Sequence, residues 1–181
     1  MESTISIIRC DGGCMQQVAD AIYEEIEKLY GQADMLHGIW MKSVAEREVN
    51  RSYTDINNRE STNYELRVEF NGIGFRLRWI EIQFVRRGSK TLRLTKNITC
   101  PENGKYKKSQ FKKAEEWELL LINKVEESLC QIRYKLKHLM KAHSSIIWAS
   151  KLNKQPLVTK DMKFRVERKV RSIKDIKQSL R

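Results

Sequence analysis

Between Tyr64 and Thr99 the chain reads YELRVEFNGIGFRLRWIEIQFVRRGSKTLRLTKNIT, with apolar residues alternating with charged ones through two turn signals. A period of two puts successive side chains on opposite faces of an extended strand. The segment therefore predicts a small three-stranded antiparallel sheet with one apolar and one cationic face. Tyr64, Leu66, Val68 and Phe70 share the inner face of the first strand, with Glu65, Arg67 and Glu69 outside. Asn71 to Gly74 predicts a hairpin turn, because Asn-Gly readily adopts positive φ. The second strand begins with Phe75, Leu77 and Trp79 inward and Arg76 and Arg78 outward. Its phase then slips by one, and Ile80, Ile82 and Phe84 become the apolar set opposite Glu81, Gln83 and Val85. Such a slip means a β-bulge, or a strand buried on both faces around Trp79 and Ile80. Arg86 to Lys90 makes the second turn. The third strand is expected to put Leu92 and Leu94 inward and Thr91, Arg93 and Thr95 outward.

Helices flank this sheet. Met15, Val18, Ile22, Ile26 and Leu29 recur at intervals of three and four and predict a helix over 13–30, with Asp11 as its cap. It continues past Gly31 through Met35, Ile39 and Trp40, after a break. Residues 50–62 read as a loop. After the basic loop 101–108, Ser109 is expected to cap a second helix. Its stripe is Phe111, Ala114, Trp117, Leu121, Val125, Ile132, Leu136 and Leu139, with Glu118, Glu126 and Arg133 among its flanking charges. Reaching Leu152, that helix would be ~60 Å long. It would outrun a three-stranded sheet, so its far end, with Ile146, Ile147 and Trp148, must pack on the first helix or on a second subunit. Trp79 and Trp117 read as core. The expectation is an α+β fold: N-terminal helix, three-stranded antiparallel sheet, long C-terminal helix packed on the sheet, and a basic tail. Residues 1–152 form one domain. Residues 153–181 form the tail, a loosely ordered arm or a short helix formed on binding.

The net charge of +12 is segregated. Residues 1–60 carry 6 basic and 11 acidic side chains, residues 61–110 carry 11 and 4, and residues 153–181 carry 10 and 3. Positive charge gathered on a sheet and a tail attracts phosphate backbones. Arginine's planar fork suits phosphate and guanine edges. The candidate DNA contacts are Arg86, Arg87 and Lys90 in the second turn, and Arg76, Arg78 and Arg93 on the strands. Lys105, Lys107 and Lys108 lie in the loop, and Arg165, Arg168 and Lys169 in the tail. The strand arginines have Glu65, Glu69 and Glu81 as neighbours, so the turn is the stronger candidate. The bland alternative is a solvated face of paired charges.

No apolar run approaches the ~20 residues that span a bilayer, and no signal peptide is read at the N-terminus. Cys10, Cys14, Cys100 and Cys130 are sparse and irregular. They fit reduced cytoplasmic thiols and lack the paired spacing of a zinc site. His138 and His143 lie five apart, not four. No nucleophilic triad or phosphate-binding glycine loop is present. Neither a cofactor nor catalysis is expected, and a metal-dependent nuclease is the least favoured class.

RLRWIEIQFVRRGSK, a basic loop, and SQFKKAEEWELLLINKVEESLCQIRYKLKHL together resemble the MobI family of conjugative transfer proteins. Trp79, Phe84, Val85, Arg86, Phe111, Ala114, Trp117, Glu118, Glu126, Ile132, Arg133 and Leu139 carry the resemblance, over residues 64–140. The family's strand commonly runs Trp-Tyr-Arg where this chain has Trp79, Ile80 and Glu81, so no arginine role carries over to position 81. The resemblance implies a non-catalytic auxiliary protein that binds the origin of transfer and assists the relaxase. The expected partner is double-stranded DNA, with a relaxase as a second partner and no membrane. The long helix admits a homodimer. The competing class is an adaptor of the relaxase or coupling machinery with weak DNA contact, docking through its acidic N-terminal helix.

Overall fold

In the computed structural model, which describes residues 13–50, 62–152, 154–168 and 172–180, the alternating stretch is an antiparallel meander. Strands β1 (Tyr64–Asn71), β2 (Gly74–Arg87) and β3 (Lys90–Asn97) lie in the order β1-β2-β3. Both connections are two-residue turns, with Gly72 (φ 55°) and Gly88 (φ 60°) at the first central position. Neither Ile73 nor Ser89 has positive φ. Gly at the first position alone is the type II′ pattern, whose twist matches that of the strands. The positive φ thus falls on Gly72, not on Asn71, which ends β1.

The phase slip on β2 is not a bulge. Its register to β1 runs unbroken from Glu81 opposite Tyr64 to Gly74 opposite Asn71, and its register to β3 is equally continuous. The strand is buried on both faces instead. Trp79 is 0% exposed on one face, and Ile80 is 1% exposed on the other.

Helix α1 (Gly13–Asn50) is continuous through Gly31. Buried Leu29, Tyr30 and Ala33 bracket the glycine. Burial of that face overrides a propensity cost of ~1 kcal/mol. Ala19 faces inward on the stripe, whereas Val18, Met35 and Ile39 are exposed. Helix α2 (Glu116–Leu152) starts later than Ser109, which sits in a 3-10 turn over Lys108–Gln110. Phe111 is drawn into the core first, edge-on to Tyr64 (5.1 Å) and Trp79 (5.7 Å). Both helices pack on the face carrying Tyr64, Leu66, Phe75, Leu77 and Trp79. Trp40 of α1 meets Trp79 edge-on at 4.8 Å.

The two helices run antiparallel. Arg47 stacks over Trp117 near the start of α2, and Tyr23 meets His143 near its end. The length of α2 beyond the sheet is therefore covered by α1, and the length argument for a second subunit does not hold. Trp148 still points to solvent, with Lys151 over its ring.

After Pro156 the chain is a strap, not a loose arm. Met162 is fully buried, and its N–H donates to Gly72 O (2.8 Å) across the first hairpin turn. A short helix, α3 (Ile173–Ser179), capped by Ser172 Oγ, then lies on α1, and Lys177 pairs with Glu48. The strap thus shares the core of the rest of the chain. Asp11, Cys10, Lys169 and the 51–61 stretch of the expected loop lie outside the described residues.

Candidate nucleic-acid interface

β2 has 14 residues and β1 only 8, so among the described strands the second half of β2 has β3 alone as its neighbour. From Gln83 and Leu94 outward, β2 and β3 form a two-stranded arm. Ile82 is its last buried residue, and Arg87 lies five residues further on, which is ~17 Å along a strand. All eight residues of β3 are exposed, Leu92 and Leu94 included. They therefore do not enter the core as expected, because neither helix reaches that end of the sheet.

The arm has two faces. Phe84, Arg86, Thr91 and Arg93 share one, with Phe84 directly opposite Arg93. Val85, Arg87, Lys90, Leu92 and Leu94 share the other. Arg86, Arg87 and Lys90 crowd the tip. None of the three makes an ion pair with a described residue, and Arg86 Nε donates only to Gly88 O (3.3 Å). Phe84 is 66% exposed. Such exposed apolar residues were not among the sequence candidates. Their signal was the length of the second strand, which runs past anything the first can pair with.

Three of the strand arginines are committed elsewhere. Arg67 and Arg93 both donate to Glu65, and Arg78 donates to Glu69. Burial pushes the Glu65 carboxyl up, but the hydrogen bonds and charges of Arg67 and Arg93 outweigh it and hold it below the usual carboxylate range. Glu81 pairs with Lys113 rather than with an arginine; that hydrogen bond, with a second from Gln83, holds its carboxyl low. Arg76 and Arg78 sit at the opposite end of β2 from the arm tip.

Lys105, Lys107 and Lys108 are exposed on the loop that leads into α2. A buried network fastens this loop. Glu126 accepts from Trp79 Nε1 (2.9 Å), from Tyr106 N–H (3.0 Å) and from both Arg133 nitrogens. Arg133 also donates to Gly104 O (2.8 Å) and lies over the Tyr106 ring. Burial pushes the Tyr106 hydroxyl up to about 12. Glu118 and Glu126 are thus interior groups, not helix flanks.

In the tail, Arg165 is withdrawn from the surface, its side chain only 8% exposed. It pairs with Glu27, donates to Ile73 O and covers the Tyr23 ring. Arg168 is exposed and reaches Val68 O (3.4 Å). Cys14 and Cys100 are free and exposed, and no group of three or more His, Cys, Asp or Glu among the described residues could hold a metal ion. No helix among the described residues is long and apolar enough to cross a membrane.

No curated protein and no solved structure matched the chain. A family model described as MobI protein matches residues 29–147. The match takes in the second half of α1, the whole sheet and most of α2. Within it, Trp79, Phe111, Glu118, Glu126 and Arg133 build the interior, while Phe84 and Arg86 stand on the exposed arm. With most of its length matched, this chain belongs to the MobI family of conjugative transfer auxiliary proteins.

Proposed function

We propose that this protein binds double-stranded DNA at the origin of transfer, in the cytoplasm, and assists the relaxase there without catalysing a reaction itself. The supporting observation is the β2–β3 arm, an exposed two-stranded ribbon with three unpaired cations at its tip. The major groove of B-DNA admits such a ribbon. Arg86, Arg87 and Lys90 would then meet phosphates or base edges, and Arg93, paired with Glu65, flanks them. Lys105, Lys107, Lys108 and Arg168 add sequence-independent phosphate contacts. Arg165 is left out, because Glu27 and Ile73 O hold it. Arg76 and Arg78 are left out, because they lie far from the arm tip.

Gel-shift titration across a salt series tests this reading. Affinity for origin duplex should fall steeply with salt. Replacing Arg86 and Arg87 by alanine should lower the slope of log affinity against log salt by about 2. Unchanged affinity in that variant removes the arm from the interface. No binding at low salt removes DNA as the partner.

The exposed Phe84, Leu92 and Leu94 favour a second reading, an adaptor gripping the relaxase or coupling machinery through the arm. An association carried by those residues would resist salt, which separates it from DNA binding.

A further inference from the structure

β3 pairs with only the second half of β2. Its register ends with Asn97 opposite Ile80, and one further bond joins Ile98 N–H to Trp79 O (3.1 Å). The chain then leaves the sheet, so on that side β2 from Gly74 to Arg78 has no neighbouring strand among the described residues. The ladder fixes which backbone groups face this gap. Ile82 N–H donates to Asn63 O (2.7 Å), so the even-numbered residues of β2 bond toward β1 and the odd-numbered ones point away. Two of those outward carbonyls are taken: Trp79 O by Ile98, and Leu77 O by Arg133 Nε (3.1 Å). The N–H and C=O of Phe75 and the N–H of Leu77 have no partner among the described residues.

These groups border a cavity of about 460 Å³ between the open edge of β2, the chain after β3, and α2. Leu77, Ile98, Leu136 and Met140 give it apolar walls. Among the described residues its charged lining is all cationic, with no carboxylate. Arg78 and Arg133 are neutralised by Glu69 and Glu126, but Arg76 and Lys137 at the rim make no ion pair with a described residue.

We propose that this gap accepts a short acidic peptide of a partner protein, which adds to β2 as an extra strand. Three unused backbone groups at strand spacing match an extended peptide, as in other strand-addition sites. A phosphate backbone, which offers only acceptors, leaves the Phe75 carbonyl unmatched. The cavity takes one apolar side chain of the incoming strand, and Arg76 and Lys137 take its carboxylates. Arg133 on Leu77 O limits the added strand to the Gly74–Leu77 stretch. A second copy of this chain is a poor occupant through β3, since its Lys90, Arg93 and Lys96 would meet the unpaired cations Arg76 and Lys137.

The probe is a displayed library of random heptapeptides, panned against the full chain and counter-panned against two variants. Met140→Trp fills the cavity, and Arg76→Glu with Lys137→Glu reverses the rim. Selected peptides should alternate apolar and acidic residues and bind either variant at least about tenfold more weakly. In NMR titration the best peptide should shift the Phe75 and Leu77 amides. Methylating its backbone nitrogens should abolish binding in one of the two alternating frames only. Peptides that bind both variants as well as the natural chain overturn the proposal. So do shifts confined to other amides, an oligothymidylate that moves Phe75 and Leu77 more than the peptide does, or a protein dimer whose formation alone moves them. Circular dichroism checks that the variants fold. The assay does not involve the arm tip, so its failure and the failure of DNA binding are read separately.

Discussion

Glu118 shows how much one buried carboxyl decides. It is fully buried, and its Oε1 accepts the N–H groups of Asn63 (3.0 Å) and Tyr64 (2.9 Å), which fixes the start of β1. Oε2 has no partner. Burial pushes its pKa up to about 7, against hydrogen bonds that pull it down. The folded chain therefore holds a proton that the unfolded chain releases near 4.5. Stability should fall as pH climbs from about 5 to 7 and level off above, by on the order of 3 kcal/mol. Glu118→Gln keeps the acceptor and removes the titration. Its Tm should be nearly flat from pH 5 to 8 where that of the natural chain declines, as calorimetry across that range would show. Little of this was legible beforehand. Periodicity assigns a glutamate to the wet side of a helix, and the sheet groups that meet Glu118 and Glu126, the Tyr64 N–H and the Trp79 indole, lie 54 and 47 residues away. Trp79 and Phe111, which obey the period, were legible as core.

At the scale of elements, alternation located all three strands and both turns. It could not say how far the covering helices extend, so Leu92 and Leu94 read as core although they stand in solvent. The arm contributes nothing to the interior, and an isolated two-stranded ribbon is marginal in water. Its excision should therefore be tolerated. Joining Gln83 to Leu94 through Asn-Gly closes the ladder on a hydrogen-bonded pair with a favourable turn. Denaturant unfolding of that variant should stay within about 1 kcal/mol of the natural chain, while gel-shift affinity for duplex is lost. A large loss of stability would mean that the arm braces the fold. The candidate site was half legible: charge pointed to the turn, but the free-standing geometry depends on where β1 ends.

At the scale of the molecule, the basic composition of the tail hides how it is anchored. Met162 and Arg165 are single residues among lysines, and no periodicity marks them. Yet Met162 fills the core beside the first turn, and Arg165 ties Ile73 O to Glu27. Ending the chain at Gln155 should cost several kcal/mol, since a buried Met alone is worth about 2–5. Met162→Ala should lose a comparable share on its own. Urea midpoints of both variants check this, and an unchanged midpoint would mean the strap is dispensable. The antiparallel helix pair was more accessible, since two long apolar stripes that precede and follow one small sheet in the sequence have few other ways to be covered.

β2 runs without a bulge from the Trp79–Glu126 bond to the arm tip, and no glycine interrupts it between Phe75 and Arg87. The arm therefore has no hinge. Its angle is set where β2 leaves the interior. A duplex receiving it would have to do the bending, and steps that deform cheaply would be favoured even where no side chain touches a base. Mechanical compliance of the target, rather than adjustment by the protein, would then decide where it settles.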